Sequence, residues 1–191
     1  AFWTSPRSAT NWNHWAYACK AKLIDGKGRY VVPGMIDAHV HFFQSGSLFT
    51  RPDAINLNTL KPYSEEIVWT KEHVYEQMLR YLACGVTGVV DCGGPFWNFD
   101  VRTLSQNTKL APHLAVAGPL ISTYGPPNLD SIDPPIIKVT TPEAAAELVR
   151  RQIPYKPDFI KVWYIVLKGE TPEQYLPIFR AVVAESKKNG F

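Results

Sequence analysis

Long apolar runs are missing from this 191-residue chain: no stretch approaches the roughly 18 residues a membrane-spanning helix needs, so no membrane partner is expected. Cysteine is scarce as well. Cys19, Cys84 and Cys92 form no Cys-x-x-Cys pair, and so sparse and odd a set argues against a disulfide framework and against a thiolate zinc site. Charge of one sign is nearly absent in excess, with 20 Lys and Arg against 17 Asp and Glu and a net charge of +3. The basic residues form no dense run, which leaves no electrostatic footprint for nucleic acid. The N-terminus shows no basic region followed by an apolar core, so no signal peptide is visible. Cytoplasm is the default compartment, with a leader removed before Ala1 left open. What is present is an ordinary folding composition, 46% apolar and 19% charged, enough for a real core.

Residues 1–21 hold three of the six tryptophans but no helical or strand period, and read as an irregular arm of uncertain origin. From Lys22 to Phe191 the pattern is regular. GRYVVPGMIDAHVHF predicts an apolar strand, a Pro-Gly break and a second strand over Met35–Phe42. A polar loop from Gln44 to about Thr70 precedes a helix over Lys71–Cys84, where Val74, Met78, Leu82, Tyr75 and Leu79 make one apolar stripe. VTGVVDCGG predicts a buried strand, and Asn98 to Lys109 a helix. HLAVAGPLIST is the next strand, followed by the Pro-rich GPPNLDSIDPPIIKV. Thr141 and Pro142 mark a helix start as N-cap and N1. PDFIKVWYIVL is a fourth strand, and Thr171-Pro172 opens a final helix that stops at Asn189-Gly190. Strands separated by helices indicate βαβ units, a parallel sheet and an α/β fold. Four units are visible where a closed TIM (β/α)8 barrel needs eight; an open doubly wound sheet is the alternative.

The strongest chemical signal is PGMIDAHVH, residues 33–41. Strand alternation places Asp37, His39 and His41 on one face, Ala38 and Val40 on the other. Two imidazoles two residues apart sit roughly 6.5–7 Å apart at the backbone, close enough to converge on one cation. An edge strand with two partly exposed histidines is the plainer alternative, but on so apolar a strand the pair would be buried, where unpartnered imidazoles are costly. Phe159, Lys161 and Trp163 share a strand face, aiming the lysine at an apolar interior; burial lowers a lysine's pKa and favours the neutral amine. A core lysine paired with a carboxylate is the alternative there. Asp91 at the end of the second strand and Tyr124 after the third are candidates for the rim of a site, although Asp also caps turns. Cys92 reads as a packed small hydrophobe, and His73 and His113 as surface or packing residues.

VVPGMIDAHVHF resembles the first barrel strand of the amidohydrolase superfamily, particularly its imidazolonepropionase-like and metallo-dipeptidase branches. ACGVTGVVDCGG is similar to that family's second strand and DFIKVWY to its fourth, so the resemblance covers residues 22–191. It implies a partial TIM barrel of about four β/α units. It implies His39 and His41 as metal ligands and Lys161 as a carbamate, formed with carbon dioxide, that bridges two metals; one or two divalent ions are expected, zinc being the expected metal. The loop at Tyr124-Gly125-Pro126-Pro127 departs from the Gly-Gly-His type common in dipeptidase-like relatives, which weakens any transfer of substrate contacts.

The expectation is a fragment of a metal-dependent hydrolase that cleaves C–N bonds in amides, peptides or cyclic amides through a metal-activated water. A phosphotriester-type metallohydrolase is the alternative chemistry, and a non-catalytic truncated product is the alternative of a different kind. The family's later histidines and its catalytic aspartate would lie beyond Phe191, so no catalytic residue is assigned and the isolated chain is expected to be inactive. The expected partners are a small-molecule substrate and either a second copy or a C-terminal half. Met35, Val89, Phe159 and Trp163 are expected on the inward face such a partner would cover.

Overall fold

The computed structural model describes residues 24–44 and 51–191; the expected arm at 1–21 lies outside them. The chain divides into two units, residues 1–33 and 34–191. In the first, a turn closes through the Arg29 N–H donating to the Gly26 carbonyl at 2.9 Å. The strand expected after it does not form: residues 29–33 are irregular and Val31 is 94% exposed. A run of three apolar residues ending at Pro33 carries no alternation, and the proline removes a ladder donor.

The second unit is α/β. Among the described residues six strands, β1 (Met35–Val40), β2 (Val86–Asp91), β3 (His113–Val116), β4 (Leu120–Ser122), β5 (Ile136–Lys138) and β6 (Val162–Trp163), form two three-stranded sheets ordered β1-β2-β3 and β5-β4-β6. Every pairing is parallel. The segment expected as one third strand is broken at Gly118-Pro119, where Pro119 lacks a donor. β3 pairs before the break with β2, and β4 pairs after it with β5 and β6. Of the long fourth strand expected over 157–167 only Val162–Trp163 is regular.

Helix α1 (Tyr63–Ala83) starts two turns before the predicted Lys71. Its buried side continues backwards from Met78 and Val74 through Thr70, Glu66 and Tyr63, at helical spacing but mostly through polar residues. Glu66 is buried against Lys61 at 2.7 Å, and Asn58 Oδ1 accepts from the Tyr63 N–H at 2.8 Å. Gly85 ends the helix at φ +79°, a conformation glycine adopts without Cβ strain. Its carbonyl accepts from the Met35 N–H at 2.9 Å, so the end of α1 also begins the β1–β2 ladder.

Helix α2 (Asn98–Asn107) follows β2. Helix α3 (Pro142–Gln152) carries the predicted cap, Thr141 Oγ1 accepting from the Ala144 N–H at 3.1 Å. At Thr171 no side-chain cap forms; a 3-10 turn, Pro172–Tyr175, leads into α4 (Leu176–Lys188). One buried cluster joins Val40, Phe42 and Val89 to Val74 and Met78 of α1 and Val101 of α2. The other joins Ile121 to Leu148 and Val149 of α3 and Ile178 and Val182 of α4. Val89 is therefore a core residue 2% exposed, not part of an inward face, whereas Met35 is 57% exposed.

Candidate metal centre

The β1 ladder slips in register between Asp37, opposite Val89, and Val40, opposite Asp91: three steps on β1 match two on β2. This bulge breaks the strict alternation predicted over residues 35–41. Ala38 and His39 are both exposed, Asp37 is half-buried and Val40 is buried. Asp37 also raises the pKa of Tyr81 on α1, after the larger effect of that phenol's burial. Asp37 thus no longer alternates in step with the histidines.

The two histidines stay together in spite of the bulge. Their ring centroids lie 5.3 Å apart at an interplanar angle of 74°. Both line a cavity of about 130 Å³ that also holds Lys161, with Phe43, Leu120, Ile136 and Trp163 as its apolar wall and Gln44 and Asp53 as polar members. The three residues predicted as ligands are thus brought to one pocket. Lys161 stands just before β6, its carbonyl accepting from the Ile121 N–H at 3.0 Å.

His41 is held in a defined state. Its Nδ1 lies 2.7 Å from the Gly93 carbonyl oxygen. A carbonyl only accepts, so Nδ1 carries the proton and Nε2 keeps its lone pair. Burial is the main influence holding the imidazole below its ordinary 6.5, with His39 and Lys161 adding to it against the pull of the Gly93 carbonyl. A neutral imidazole with one nitrogen tied to a carbonyl is the form in which histidine binds a metal. The donor set therefore fits a metal in type. Among the described residues no group of three or more His, Cys, Asp and Glu side chains is placed to hold one; the other polar side chains of the pocket are Lys161, Asp53 and Gln44.

Asp53 was not singled out by the sequence. It sits in a Pro-containing loop with no period, and its one local signal is Arg51 two residues before it, bound through both carboxylate oxygens at 3.0 and 3.1 Å. Burial pushes the Asp53 carboxyl up, but the bonds and charge of Arg51 outweigh it and hold the group below its ordinary value.

Asp91 and Tyr124, expected at the rim, are placed elsewhere. Asp91 is 0% exposed; it stands opposite Val40 on the covered side of the ladder, and its carboxylate is taken up by backbone donors. Burial, opposed by those bonds and by Asn98, pushes its carboxyl up to about 7. Tyr124 lines a second cavity, of about 230 Å³, with Lys138, Glu170 and Tyr175. Its ring lies 6.1 Å, between centroids, from that of Trp163, which lines the first pocket. Cys92 is buried, its Sγ 3.7 Å from the Ala38 carbonyl.

No family model matches the sequence, and no curated protein matches it. Solved structures do. An amidohydrolase aligns over 97% of this chain and 46% of its own at 23% identity and TM-score 0.60. A prolidase complexed with N-methylphosphonate-L-proline aligns over 88% and 43% at 22% identity and TM-score 0.61. The ochratoxinase of A. niger aligns over 83% and 41% at 17% identity and TM-score 0.59. The fold of this chain is thus one found in amidohydrolase structures, and the chain spans under half the length of each.

Proposed function

We propose that this chain is the part of a metal-dependent hydrolase that carries its first metal ligands, and that the whole enzyme cleaves C–N bonds in amides, peptides or cyclic amides. β1, β2, the broken β3–β4 strand and β6 are then the first four strands of a (β/α)8 barrel. The succession of parallel neighbours in chain order supports that reading, as does the shared fold. The observation that carries the metal is His41: its Nδ1–H is committed to Gly93, leaving Nε2 as a donor in a pocket shared with His39 and Lys161.

In this reading His39 and His41 hold a divalent ion, zinc being the expected one. Lys161, from the same pocket, would complete the set as a carbamate formed with carbon dioxide. A metal held there would supply Lewis-acid chemistry, acidifying a water and polarising a carbonyl. The chain's own contribution is to fix the imidazoles, through Gly93 for His41, and to exclude bulk water with Phe43, Leu120, Ile136 and Trp163. Asp53, held ionised by its ion pair with Arg51, is a further polar group on the wall of that pocket.

Zinc titration of the metal-free 191-residue chain by calorimetry tests this. Wild type is expected to take up zinc, and His41→Ala to lose more affinity than the roughly 10–100-fold typical of changes outside the ligand shell. Equal binding by wild type and variant would sink the assignment.

A further inference from the structure

The end of β2 reaches the proposed ligand His41 by two routes. Asp91 Oδ2 accepts from the Phe42 N–H at 3.0 Å, directly after His41 in the chain. Asp91 Oδ1 accepts from the Gly93 N–H at 3.0 Å, and the carbonyl of that same Gly93 accepts from His41 Nδ1 at 2.7 Å. The bonds close a ring: imidazole, backbone to Phe42, carboxylate, Gly93 amide, Gly93 carbonyl and back to the imidazole. The ring is braced from outside. The Cys92 N–H donates to the Val40 carbonyl at 2.8 Å, and the Ala117 N–H to the Asp91 carbonyl at 3.1 Å. Gly93 is needed in it, because φ is +107° and an added Cβ would lie 2.8 Å from the Gly118 carbonyl oxygen.

We propose that Asp91 is a positioning residue that sets the tautomer and orientation of His41 by holding Phe42 and Gly93 with its two carboxylate oxygens. It acts through the backbone and touches neither substrate nor metal. A carboxylate suits the task, since both oxygens accept; an asparagine of the same shape offers one acceptor and a donor that faces an N–H. One of the two amides then loses its partner in a buried place, where an unmet donor is costly. The Gly93 carbonyl turns away, and the imidazole is freed to place its proton on either nitrogen. This inference deepens the metal reading in its consequences, but the tautomer itself is a property of the metal-free chain.

The test is long-range proton–nitrogen NMR on the full chain with labelled histidine, without metal, at a pH high enough that the Asp91 carboxyl, raised to about 7, is ionised. Wild type is expected to show His41 as a single Nδ1–H form. Asp91→Asn is expected to lose that single form, with an Nε2–H population appearing beside it. His73 is the internal control: its Nδ1 lies 2.8 Å from the Trp69 carbonyl, far from the ring in sequence, and it should keep its tautomer in both proteins. A change at His73 equal to that at His41 would mean general loosening and overturn the specific role, as would a folded Asp91→Asn protein in which His41 keeps one tautomer. If the variant does not fold, amide exchange in wild type decides. Strong protection of Phe42 and Gly93 is expected; free exchange of both while His41 holds one tautomer overturns the proposal. Zinc affinity in a folded variant is expected to fall roughly 10–100-fold. Wild type that shows the tautomer result but takes up no zinc would sink the metal reading and leave the positioning role standing.

Discussion

The two faces of the β1–β2 ladder differ sharply. On one, Val40, Val89 and Asp91 are sealed in, sharing a buried cluster or close charge effects with residues of α1 and α2. On the other, Ile36 stands 71% exposed, with Ala38 and His39 also open. The candidate site belongs to the open side, yet what fixes it comes from the covered side. His41 is oriented by Gly93, and Gly93 by a carboxylate buried among the helices. In this unit the geometry of the site is set from the core outward, so faults planted in the covered face should reach both stability and site.

The largest effect should come from emptying that core. Met78 on α1 is fully buried in the cluster with Val40, Phe42 and Val89. Met78→Ala is expected to cost ~2–5 kcal/mol, the lost transfer free energy plus the cavity left behind. Urea unfolding reads it through the midpoint at unchanged slope. A cost within experimental error would mean the cluster is not packed as described.

Next comes the buried carboxylate. Asp91 stands at about 7 in the folded chain against an ordinary 3.8, with burial as the cause and the Phe42, Asn98 and Gly93 bonds opposing it. A raised folded value means the native state binds the proton more tightly. The associated stability is full below the unfolded value and is lost as pH rises through about 7, up to about 4 kcal/mol for a shift of this size. His41 works in the opposite sense: its folded value is lowered, so its contribution is lost as pH falls. The quantity to measure is therefore a difference. Unfolding free energies of wild type and Asp91→Asn, compared at about pH 5 and about pH 8, should show a fall with pH in wild type that the variant lacks. Parallel profiles would show that Asp91 is not desolvated, and the contrast between the two faces would weaken with it.

Much of this architecture was readable because it is local. The α3 cap needs only Thr141-Pro142 before an amphipathic run, and the His39-x-His41 pair needs only a strand. Features that failed to show depend on partners far along the chain. The first two turns of α1 bury Glu66 and Thr70, so they carry no apolar stripe, and Glu66 is tolerated inside because Lys61 pairs with it. The bulge in β1 exists only against β2, so strict alternation put Asp37 beside the histidines. The broken third strand reflects Pro119 and a change of pairing partners. Asp91 looked like a rim residue because it ends a strand, and its true bonds reach back 49 positions to Phe42. Asp53 joins the pocket from an irregular loop, with no period to announce it.

The smallest effect is expected on the open face. Ile36 lies in β1 with its side chain toward Gly88, whose added Cβ would come 3.3 Å from Ile36 Cγ1. Apart from that glycine the side chain is mostly in water, so little transfer free energy is lost by trimming it. Alanine also lowers strand propensity, but on an exposed position of a short strand that amounts to a few tenths of a kcal/mol within a scale spanning ~1 kcal/mol. Ile36→Ala should therefore change unfolding stability by no more than ~0.5 kcal/mol, at every protein concentration tested. A loss approaching that of Met78→Ala would mean the face is covered in solution. If the loss also grew with protein concentration, the cover would be a second copy of the chain, because only association makes stability depend on concentration. In that event Ile36 and Met78 would both be core residues, and the site would be shaped from two sides instead of one.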